Sequence, residues 1–495
     1  MAYDALKPIK QTDFNAGPNY TEPPWNLKEG ELAESANVWW EGSLKTVPYA
    51  SRFSATPTTG AVKQLVFFRR ISGTAYLFGV DDVQKIYSYN ASGVPVLVAT
   101  KVSTDPYWST AVFNNRLYAA NSKVTLLGTN GVTVSNVAAP RMRYILSKQD
   151  YLFGVLANTT VQPSTMAYSD TDNAESWPVG NRLNFGQDDG DEITGAIEWG
   201  DVIFVTKNRS IWILSGTTPS DFKIEKSLSD VGCVAPRTLC WTDLGVFFWS
   251  ENGQTLFNGF RSFNLTDRIK GLLKDSSAVS VINWARIDQA TAKYYPRLRQ
   301  VLVSYCETGQ TVNNKTLIID MNRVTDRVGR RIPYAIWPMT TGITAMAHGT
   351  DITLTGSRTE LILGMANGHV LRWDNGTNFN GAQLAPRIRS GAYSIGPDKI
   401  EQVRTIDVWL KGNTNTVTIK YSTDGGTFTT HPQASAYANT GTNTIKLKRL
   451  HGDGSGNYIT GRRLQVEVSA VGSTNPFGLF EIGVGMEPGG PRDAA

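Results

Sequence analysis

The chain has 495 residues, a formal net charge of +5 and a hydrophobic fraction of 41%. That apolar fraction is large enough to build a core and the net charge is small, so intrinsic disorder is excluded. Only 18% of the residues are charged, and 46 glycines and 22 prolines interrupt the chain, which excludes long helical bundles and coiled coils.

Residues 1–61 are predicted to form an N-terminal arm and a first strand that lead into the repeating part of the chain. From residue 62 onward, short apolar segments alternate with turn residues, which is typical of antiparallel strands joined by hairpins. The first two groups of strands carry the clearest turns, at Ser72-Gly73, Asp81-Asp82, Ser92-Gly93, Asn114-Asn115 and Asn130-Gly131.

The strand groups recur every 45 residues or so, and about seven of them fill residues 62–376. This spacing is typical of β-propeller blades, because a small antiparallel sheet must stack on neighbours in a ring to bury both of its faces. The repeat is degenerate, so it predicts a β-propeller of about six to eight blades over residues 62–384.

A segment with a different pattern interrupts the strands at residues 264–274. Its apolar residues share one helical face behind a cap at Asn264 or Thr266, and they are Leu265, Ile269, Leu272 and Leu273. We therefore expect a short helix inserted between two blades.

The composition changes near residue 384, where a linker is predicted. Five segments of alternating apolar and polar residues follow, and in one of them Val417, Ile419 and Tyr421 fall on the same face. These segments predict a compact β-sandwich at residues 385–489 and a flexible tail at residues 490–495. The predicted fold class is all-β, with a β-propeller followed by a C-terminal β-sandwich.

The sequence carries no motif typical of catalysis or of metal binding. Cys233, Cys240 and Cys306 form no CxxC pair and are odd in number, which indicates reduced thiols packed as small apolar residues. The nucleophile elbow, the phosphate-binding loop and the dinucleotide fingerprint are absent, and the histidines are scattered singly. We therefore expect no catalytic residues, no cofactor and no metal. A glycosidase stays open, because its two carboxylates would come from different blades.

One loop is strongly acidic and contains Asp188, Asp189, Asp191 and Glu192. Its composition resembles a calcium-binding loop, but the spacing and the terminal glutamate of an EF-hand are absent, which favours a solvated loop between strands. Two further segments, residues 169–177 and 422–428, resemble the Asp-box turns of sialidase-like propellers, whose role would be to stabilise a turn.

The densest basic cluster consists of Arg323, Arg327, Arg330 and Arg331. It is a charged surface loop with local acidic partners in one interpretation, and a contact with phosphate or with an acidic patch of a partner subunit in the other. Other cations precede it, at Lys293, Arg297 and Arg299. Four neighbouring aromatics would suit an interface if they were exposed and are otherwise ordinary strand residues, namely Tyr294, Tyr295, Tyr334 and Trp337.

Several segments resemble the propeller proteins of short-tailed bacteriophage tails. The clearest is WNLKEGELAESANVWWEGSLKTVP at residues 25–48, where a run of leucine, small or acidic residues, alanine, asparagine and valine leads to aromatics, a glycine and a lysine before proline. Further similar segments lie at residues 168–178, 229–236, 245–253 and 480–490.

The resemblance implies a tail hub or nozzle, a structural virion protein without enzymatic activity. In that family, propellers form a homohexameric ring below the portal and adaptor, double-stranded DNA leaves through the ring without specific binding, and fibres or spikes attach outside. Assembly in the host cytoplasm is implied. The acidic loop would then line the lumen, and the arginine cluster would contact a protein partner.

The alternative left open by the sequence is a carbohydrate-active or carbohydrate-binding β-propeller whose C-terminal sandwich is a sugar-binding module. We expect no membrane span under either hypothesis, because no run of about 18 apolar residues occurs. The opening residues MAYDALKPIKQTDFN are polar, so we also expect no signal peptide.

Overall fold

The structure is a computed structural model, and it describes most of the chain. The described residues are 9–28, 30–101, 103, 105–158, 160, 162–186, 189–266, 269, 282–323, 335–350, 352, 359–376, 378–382, 384–394, 401–411, 416–434, 437–438, 445–455, 457–471 and 478–488. Within them the chain forms β-strands and short 3-10 helices at Pro236–Thr238, Trp284–Gln289, Met321–Arg323 and Pro432–Ala434. No helix in this part of the chain is long and apolar enough to cross a membrane.

Six short strands come first in the chain. They are β1 (Ile9–Gln11), β2 (Gly17–Pro18), β3 (Glu31–Ala36), β4 (Val38–Trp40), β5 (Leu44–Thr46) and β6 (Ala50–Arg52). β1, β3 and β5 pair with strands from the other end of the chain, β2 pairs with β3 and β4 with β5, and β6 pairs with the propeller.

Seven four-stranded antiparallel sheets follow, which we name blades 1 to 7 in chain order. Blade 1 has β7 (Val62–Arg69), β8 (Ala75–Asp81), β9 (Lys85–Tyr89) and β10 (Pro95–Thr100). Blade 2 has β11 (Ser109–Phe113), β12 (Arg116–Asn121), β13 (Val124–Thr129) and β14 (Val134–Asn136). Blade 3 has β15 (Met142–Lys148), β16 (Tyr151–Leu156), β17 (Thr165–Tyr168) and β18 (Arg182–Asn184).

Blade 4 has β19 (Ile193–Trp199), β20 (Val202–Lys207), β21 (Ile211–Ser215) and β22 (Lys223–Lys226). Blade 5 has β23 (Cys240–Thr242), β24 (Gly245–Ser250), β25 (Gly253–Phe257) and β26 (Ser262–Asn264). Blade 6 has β27 (Thr291–Tyr295), β28 (Gln300–Tyr305), β29 (Lys315–Asp320) and β30 (Ala335–Met339). Blade 7 has β31 (Ala345–Thr350), β32 (Thr359–Gly364), β33 (Val370–Trp373) and, as its outer strand, β6.

The blades form a closed ring with the first strand of each blade innermost. First strands of neighbouring blades contact one another, as β11 does with β15 and β27 with β31. β31 of blade 7 contacts β7 of blade 1, which closes the ring. Leu371 pairs with Arg52 and Trp373 with Ala50, so a strand from the N-terminal part completes the last blade. The predicted β-propeller is confirmed.

Hydrophobic clusters fill the boundaries between neighbouring blades. Consecutive residues of one strand point to opposite boundaries: Val301 and Val303 pack toward blade 5, whereas Leu302 packs toward blade 7. Both faces of a blade are therefore buried, which explains continuous apolar runs such as GVFFWS in β24. Sliding one blade past another would open a packed core, so the ring is stiff.

The remaining strands are β34 (Arg387–Ser390), β35 (Glu401–Lys411), β36 (Thr416–Thr423), β37 (Thr429–Thr430), β38 (Tyr437–Ala438), β39 (Ile445–His451), β40 (Ile459–Gly461), β41 (Leu464–Val471) and β42 (Gly478–Pro488). With β1–β5 they form two seven-stranded sheets. The first has the order β39-β35-β42-β5-β4, with β1 on β42 and β40 on β35. The second has the order β2-β3-β34-β41-β36-β37, with β38 on β36.

The two sheets share one hydrophobic cluster with blades 6 and 7 of the propeller. This cluster contains Val408 of β35, Val468 of β41 and Trp337 of β30, the outer strand of blade 6. β2, β3 and β4 contact β30 directly. The N-terminal segment, for which the sequence predicts an arm, thus supplies strands to both sheets and to blade 7.

Asn37 joins the two parts of the molecule, at the turn between β3 and β4. Its backbone N–H donates to the carbonyl of Pro338 at 2.8 Å. Its side-chain oxygen accepts from the backbone N–H of Thr340 at 2.9 Å, and its side-chain nitrogen donates to the carbonyl of Ala385 at 2.9 Å. Its φ of 57° is a conformation that asparagine tolerates better than most residues.

The predicted helix at residues 264–274 lies largely outside the described residues, as does the tail at residues 490–495. Asn264 ends β26, and its side-chain oxygen accepts from the backbone N–H of Thr266 at 2.7 Å. Leu265 and Ile269, two residues of the predicted apolar face, are buried between blades 5 and 6.

Candidate functional site

A cavity of about 430 Å³ lies on the propeller axis, lined by the inner strands and the segments that lead into them. Its charged lining residues are three acids and three bases: Asp105, Glu198, Asp288, Arg143, Arg237 and Lys293. Because acids and bases are equal in number, the lining has no net charge that would select an anionic or a cationic ligand.

Arg237 ties the centre of the propeller together. It lies in the 3-10 helix between blades 4 and 5, and its guanidinium donates to the carbonyls of Lys63 at 2.5 Å, Thr344 at 2.9 Å and Gln289 at 3.4 Å. Its Cζ is 4.4 Å from the centroid of the Tyr107 ring, a cation–π distance. One side chain thus reaches segments leading into or belonging to blades 1, 2, 6 and 7, so it closes the axis.

Two lysines, Lys63 and Lys293, lie in the same inner region of the propeller as Arg237, and Lys63 is buried. Burial lowers the pKa of Lys63, and the charge of Arg237 lowers it further. Burial likewise lowers the pKa of Lys293, which lines the cavity from β27 and is therefore a residue of the axis. Burial and then the charge of Lys293 lower the pKa of His348 on β31. Near the axis, burial therefore disfavours the protonated, positively charged forms of these side chains.

The acidic loop leads into β19, the inner strand of blade 4. Asp188 lies outside the described residues. Asp189 accepts from the ammonium of Lys207, a fully buried lysine, at 2.7 Å. Lys207 also donates to Ser164 Oγ at 2.8 Å. Asp189 therefore neutralises a buried cation between blades 3 and 4.

The next two acids of the loop also have hydrogen-bond or ion-pair partners within the chain. Asp191 accepts from the side-chain nitrogen of Asn208 at 2.8 Å and from the backbone N–H of Arg209 at 3.0 Å, in the turn between β20 and β21. Glu192 forms an ion pair of 3.0 Å with Arg143 of blade 3. The described carboxylates of this loop thus stabilise the fold within one chain.

The predicted arginine cluster lies almost entirely outside the described residues. Arg323 ends a 3-10 helix, and Arg327, Arg330 and Arg331 follow it beyond the described range. Of the preceding cations, Arg299 pairs with Asp243 at 2.5 Å and Arg297 with Asp374 at 3.4 Å.

The aromatics beside the cluster do not form an exposed interface. Tyr294, Tyr295 and Trp337 are buried, and Tyr334 lies outside the described residues. The interface interpretation of the first three was wrong, because both faces of blade 6 are covered: Tyr294 packs toward blade 5, while Tyr295 and Trp337 pack into the cluster shared with the two sheets.

One side of the ring, which we call the turn face, carries the turns after the first and third strands of the blades, since neighbouring strands are antiparallel. Blade-to-blade bonds cross it. The backbone N–H of Ile71 donates to Asn115 Oδ1 at 2.7 Å, and Asn114 Nδ2 donates to the carbonyl of Asp172 at 2.7 Å. Further links join Lys148 to Asp201, Arg299 to Asp243 and Arg297 to Asp374. These bonds brace the packed boundaries at the surface.

The two Asp-box-like segments form hydrogen-bonded turns, as predicted. In the first, Ser176 Oγ donates to Asp170 Oδ2 at 2.5 Å. In the second, Asp424 accepts from the backbone N–H groups of Arg462 and Arg463 at 2.9 Å. The second turn borders a groove of about 560 Å³ in which the guanidinium carbon of Arg463 lies 4.4 Å from the centroid of the half-exposed Trp25 ring.

The three cysteines are buried free thiols, as predicted. Burial raises the pKa of Cys233 and of Cys240 to about 12, so both thiols stay protonated at neutral pH. Within the part of the chain that the structure describes, no three His, Cys, Asp or Glu side chains lie close enough to hold a metal ion.

No protein-family model and no curated protein matches the chain. Among solved structures it is similar to the computationally designed Ika8 protein, with 9% identity, a TM-score of 0.35 and coverage of 65% of this chain and 99% of the other. BamB from Moraxella catarrhalis is similar at 9% identity, with a TM-score of 0.36 and coverage of 69% of this chain and 96% of the other. YCF48 bound to D1 peptide is similar at 10% identity, with a TM-score of 0.39 and coverage of 66% of this chain and 99% of the other. The assignment as a β-propeller rests on the seven sheets of this chain itself.

Proposed function

We propose that the chain is a structural protein of a phage tail, a hub or nozzle subunit below the portal and adaptor. The proposal starts from the resemblance of residues 25–48 and other segments to that family. The observation that carries it furthest is the closed axis: Arg237 holds four blades across a cavity of about 430 Å³. No DNA duplex fits through such a cavity, so a DNA passage must be enclosed between several copies, as in the proposed homohexameric ring.

A subunit of such a ring must be stiff and chemically inert. Packed boundaries between blades, the bonds across the turn face and Arg237 supply the stiffness. The acidic residues described in the loop are used as internal partners, and the thiols are buried and protonated. We therefore propose a protein that holds neighbours and catalyses no reaction.

The two seven-stranded sheets, which we interpret as a β-sandwich built from both ends of the chain, would give each subunit a second attachment surface. Its fusion to blade 6 through Asn37 fixes its position on the propeller. In this proposal the sheets or the outer blades contact the adaptor and the fibres or spikes, the loop at residues 188–192 faces the lumen, and the cluster at residues 323–331 contacts a protein partner.

Mass photometry and negative-stain imaging of the purified chain, alone and with portal and adaptor proteins encoded beside it, test the proposal. We expect six-fold rings, formed alone or on the neck complex, and no hydrolysis in a parallel glycan screen. A chain that stays monomeric under both conditions, or that cleaves a glycan, contradicts the proposal.

A carbohydrate-binding function is the second candidate, and the groove beside Trp25 favours it. An aromatic ring with arginines, a carboxylate and an amide around it can stack on a sugar and bond its hydroxyls. Glycan-array binding that Trp25→Ala abolishes would support this candidate. Binding that is absent from the original chain would remove it.

A further inference from the structure

We propose that copies of this chain join head to tail, the outer strand β10 of blade 1 in one copy packing on an apolar patch at the boundary of blades 4 and 5 in the next. This inference rests on the proposed ring, and it names the surfaces that would build it.

The outer strands of the blades differ in how well they are protected against pairing with a strand of another molecule. An outer strand presents free backbone N–H and C=O groups, which proteins usually protect with short length, charge or a covering element. β14, β18 and β26 have three residues each. β22 has the sequence KIEK, in which three of the four residues are charged. β10 has six residues, PVLVAT, and no charge.

Blade 6 shows what an apolar outer strand requires in this molecule. Its outer strand β30, AIWPM, is covered by β2, β3 and β4, and its Trp337 is fully buried. β10 has the composition of a covered strand, yet Val96 and Leu97 are each 52% exposed. Because these two residues are consecutive, they point to opposite faces, so both sides of this edge are apolar. The occupant that such an edge fits is another protein surface.

A complementary patch lies where blades 4 and 5 meet. Leu228, just after β22, is 99% exposed, and Phe260, in the turn before β26, is 83% exposed. A hydrogen bond between Ser229 Oγ and Ser262 Oγ holds the two segments together. Two large apolar side chains exposed to this degree, on segments joined by a hydrogen bond, offer an apolar surface to a partner.

The positions of the two surfaces select a head-to-tail contact. In the order of the ring, blades 2, 3 and 4 separate β10 from the patch on one side, and blades 5, 6 and 7 on the other, so the surfaces lie on opposite flanks of the propeller. Two different surfaces on opposite flanks generate a heterologous chain of subunits, which becomes a ring when the rotation closes. A symmetric pairing of β10 with β10 would instead give a closed dimer.

Cysteine cross-linking tests the contact. Chains carrying Val96→Cys are mixed with chains carrying Phe260→Cys, assembled alone or on the neck complex, and oxidised. The native thiols are buried and their pKa values are raised, so they do not compete with the introduced cysteines for disulfide formation. We expect a Val96→Cys to Phe260→Cys cross-link between copies. The matched control is Val179→Cys, an exposed valine on blade 3, which should not cross-link to Val96→Cys.

Charged substitutions give a second readout. Leu97→Lys and Leu228→Lys should each weaken self-association at least about tenfold without changing the melting temperature of the dilute, unassembled chain, whereas Val179→Lys should have no effect on either. If the copies assemble but the cross-link is absent, or only Val96→Cys pairs with itself, the inference is wrong while the ring proposal survives. If the original chain never assembles, both are wrong.

Discussion

The guanidinium carbon of Arg237 lies 4.4 Å from the centroid of the Tyr107 ring, at the axis of the propeller. The arginine comes from the connection between blades 4 and 5, and the tyrosine precedes the first strand of blade 2. The ring is therefore braced across its diameter as well as around its circumference.

Arg237→Ala should lower the free energy of unfolding by about 2–4 kcal/mol, because three carbonyls lose a charged donor and the axis gains a void. Urea unfolding followed by tryptophan fluorescence measures the loss. The control is Arg209→Ala, at an exposed side chain, which should stay within about 0.5 kcal/mol of the original chain. Equal stability of the two variants would show that Arg237 is not a brace.

Asn37→Gly should destabilise the chain by about 2 kcal/mol, because its side chain bonds both Thr340 and Ala385. Glycine accepts the φ of 57°, so this variant removes the side chain without adding backbone strain. Asn37→Asp keeps the acceptor for Thr340 and should lose less. Thermal unfolding ranks the three chains, and an unchanged glycine variant would contradict the role of this junction.

Asp189→Asn should destabilise the chain by about 3 kcal/mol, because it leaves the buried ammonium of Lys207 without its carboxylate. The double variant Asp189→Asn with Lys207→Met removes the unpaired charge and should recover most of that loss. Chemical unfolding of both variants gives the comparison. If the single variant is as stable as the original, the acidic loop has no structural function at this residue.

His348 should make the fold sensitive to mild acid. Its pKa is lowered in the folded state, so below about pH 6.5 the unfolded chain binds a proton that the folded chain does not. Stability should therefore fall by as much as about 1.4 kcal/mol per pH unit below pH 6.5, until the lower folded pKa is reached.

Urea unfolding at about pH 7.5 and about pH 5.5, roughly one unit on either side of the ordinary pKa of histidine, tests this. His348→Gln should flatten the loss, whereas His451→Gln, at an exposed histidine, should not. The same loss in both variants would assign the acid sensitivity to other groups.

Local features of the fold could be predicted from the sequence. Asn114-Asn115 predicts a two-residue hairpin, and both residues have positive φ between β11 and β12. The strand groups predict the blades, because each blade is a run of consecutive hairpins. Val417, Ile419 and Tyr421 are predicted to share a face; the first two are buried, and Tyr421 packs partly buried against the same cluster.

Non-local features could not be predicted. The pairing of Arg52 with Leu371 joins residues from opposite ends of the propeller, and no local pattern encodes it. Arg237 lies in a short connection between blades whose composition gives no sign that its side chain reaches the propeller axis. Asp189 belongs to a loop that is typical of a solvated surface, and only the fold brings it to Lys207.

The central claim is that stiff propellers, each closed on its own axis, enclose a passage between copies. A cryo-EM reconstruction of the assembled chain at side-chain resolution tests it most directly. We expect a ring of six copies around one central opening, with Arg237 spanning the axis of every propeller. A passage running through the propeller axis itself, or an assembly without a central opening, would contradict it.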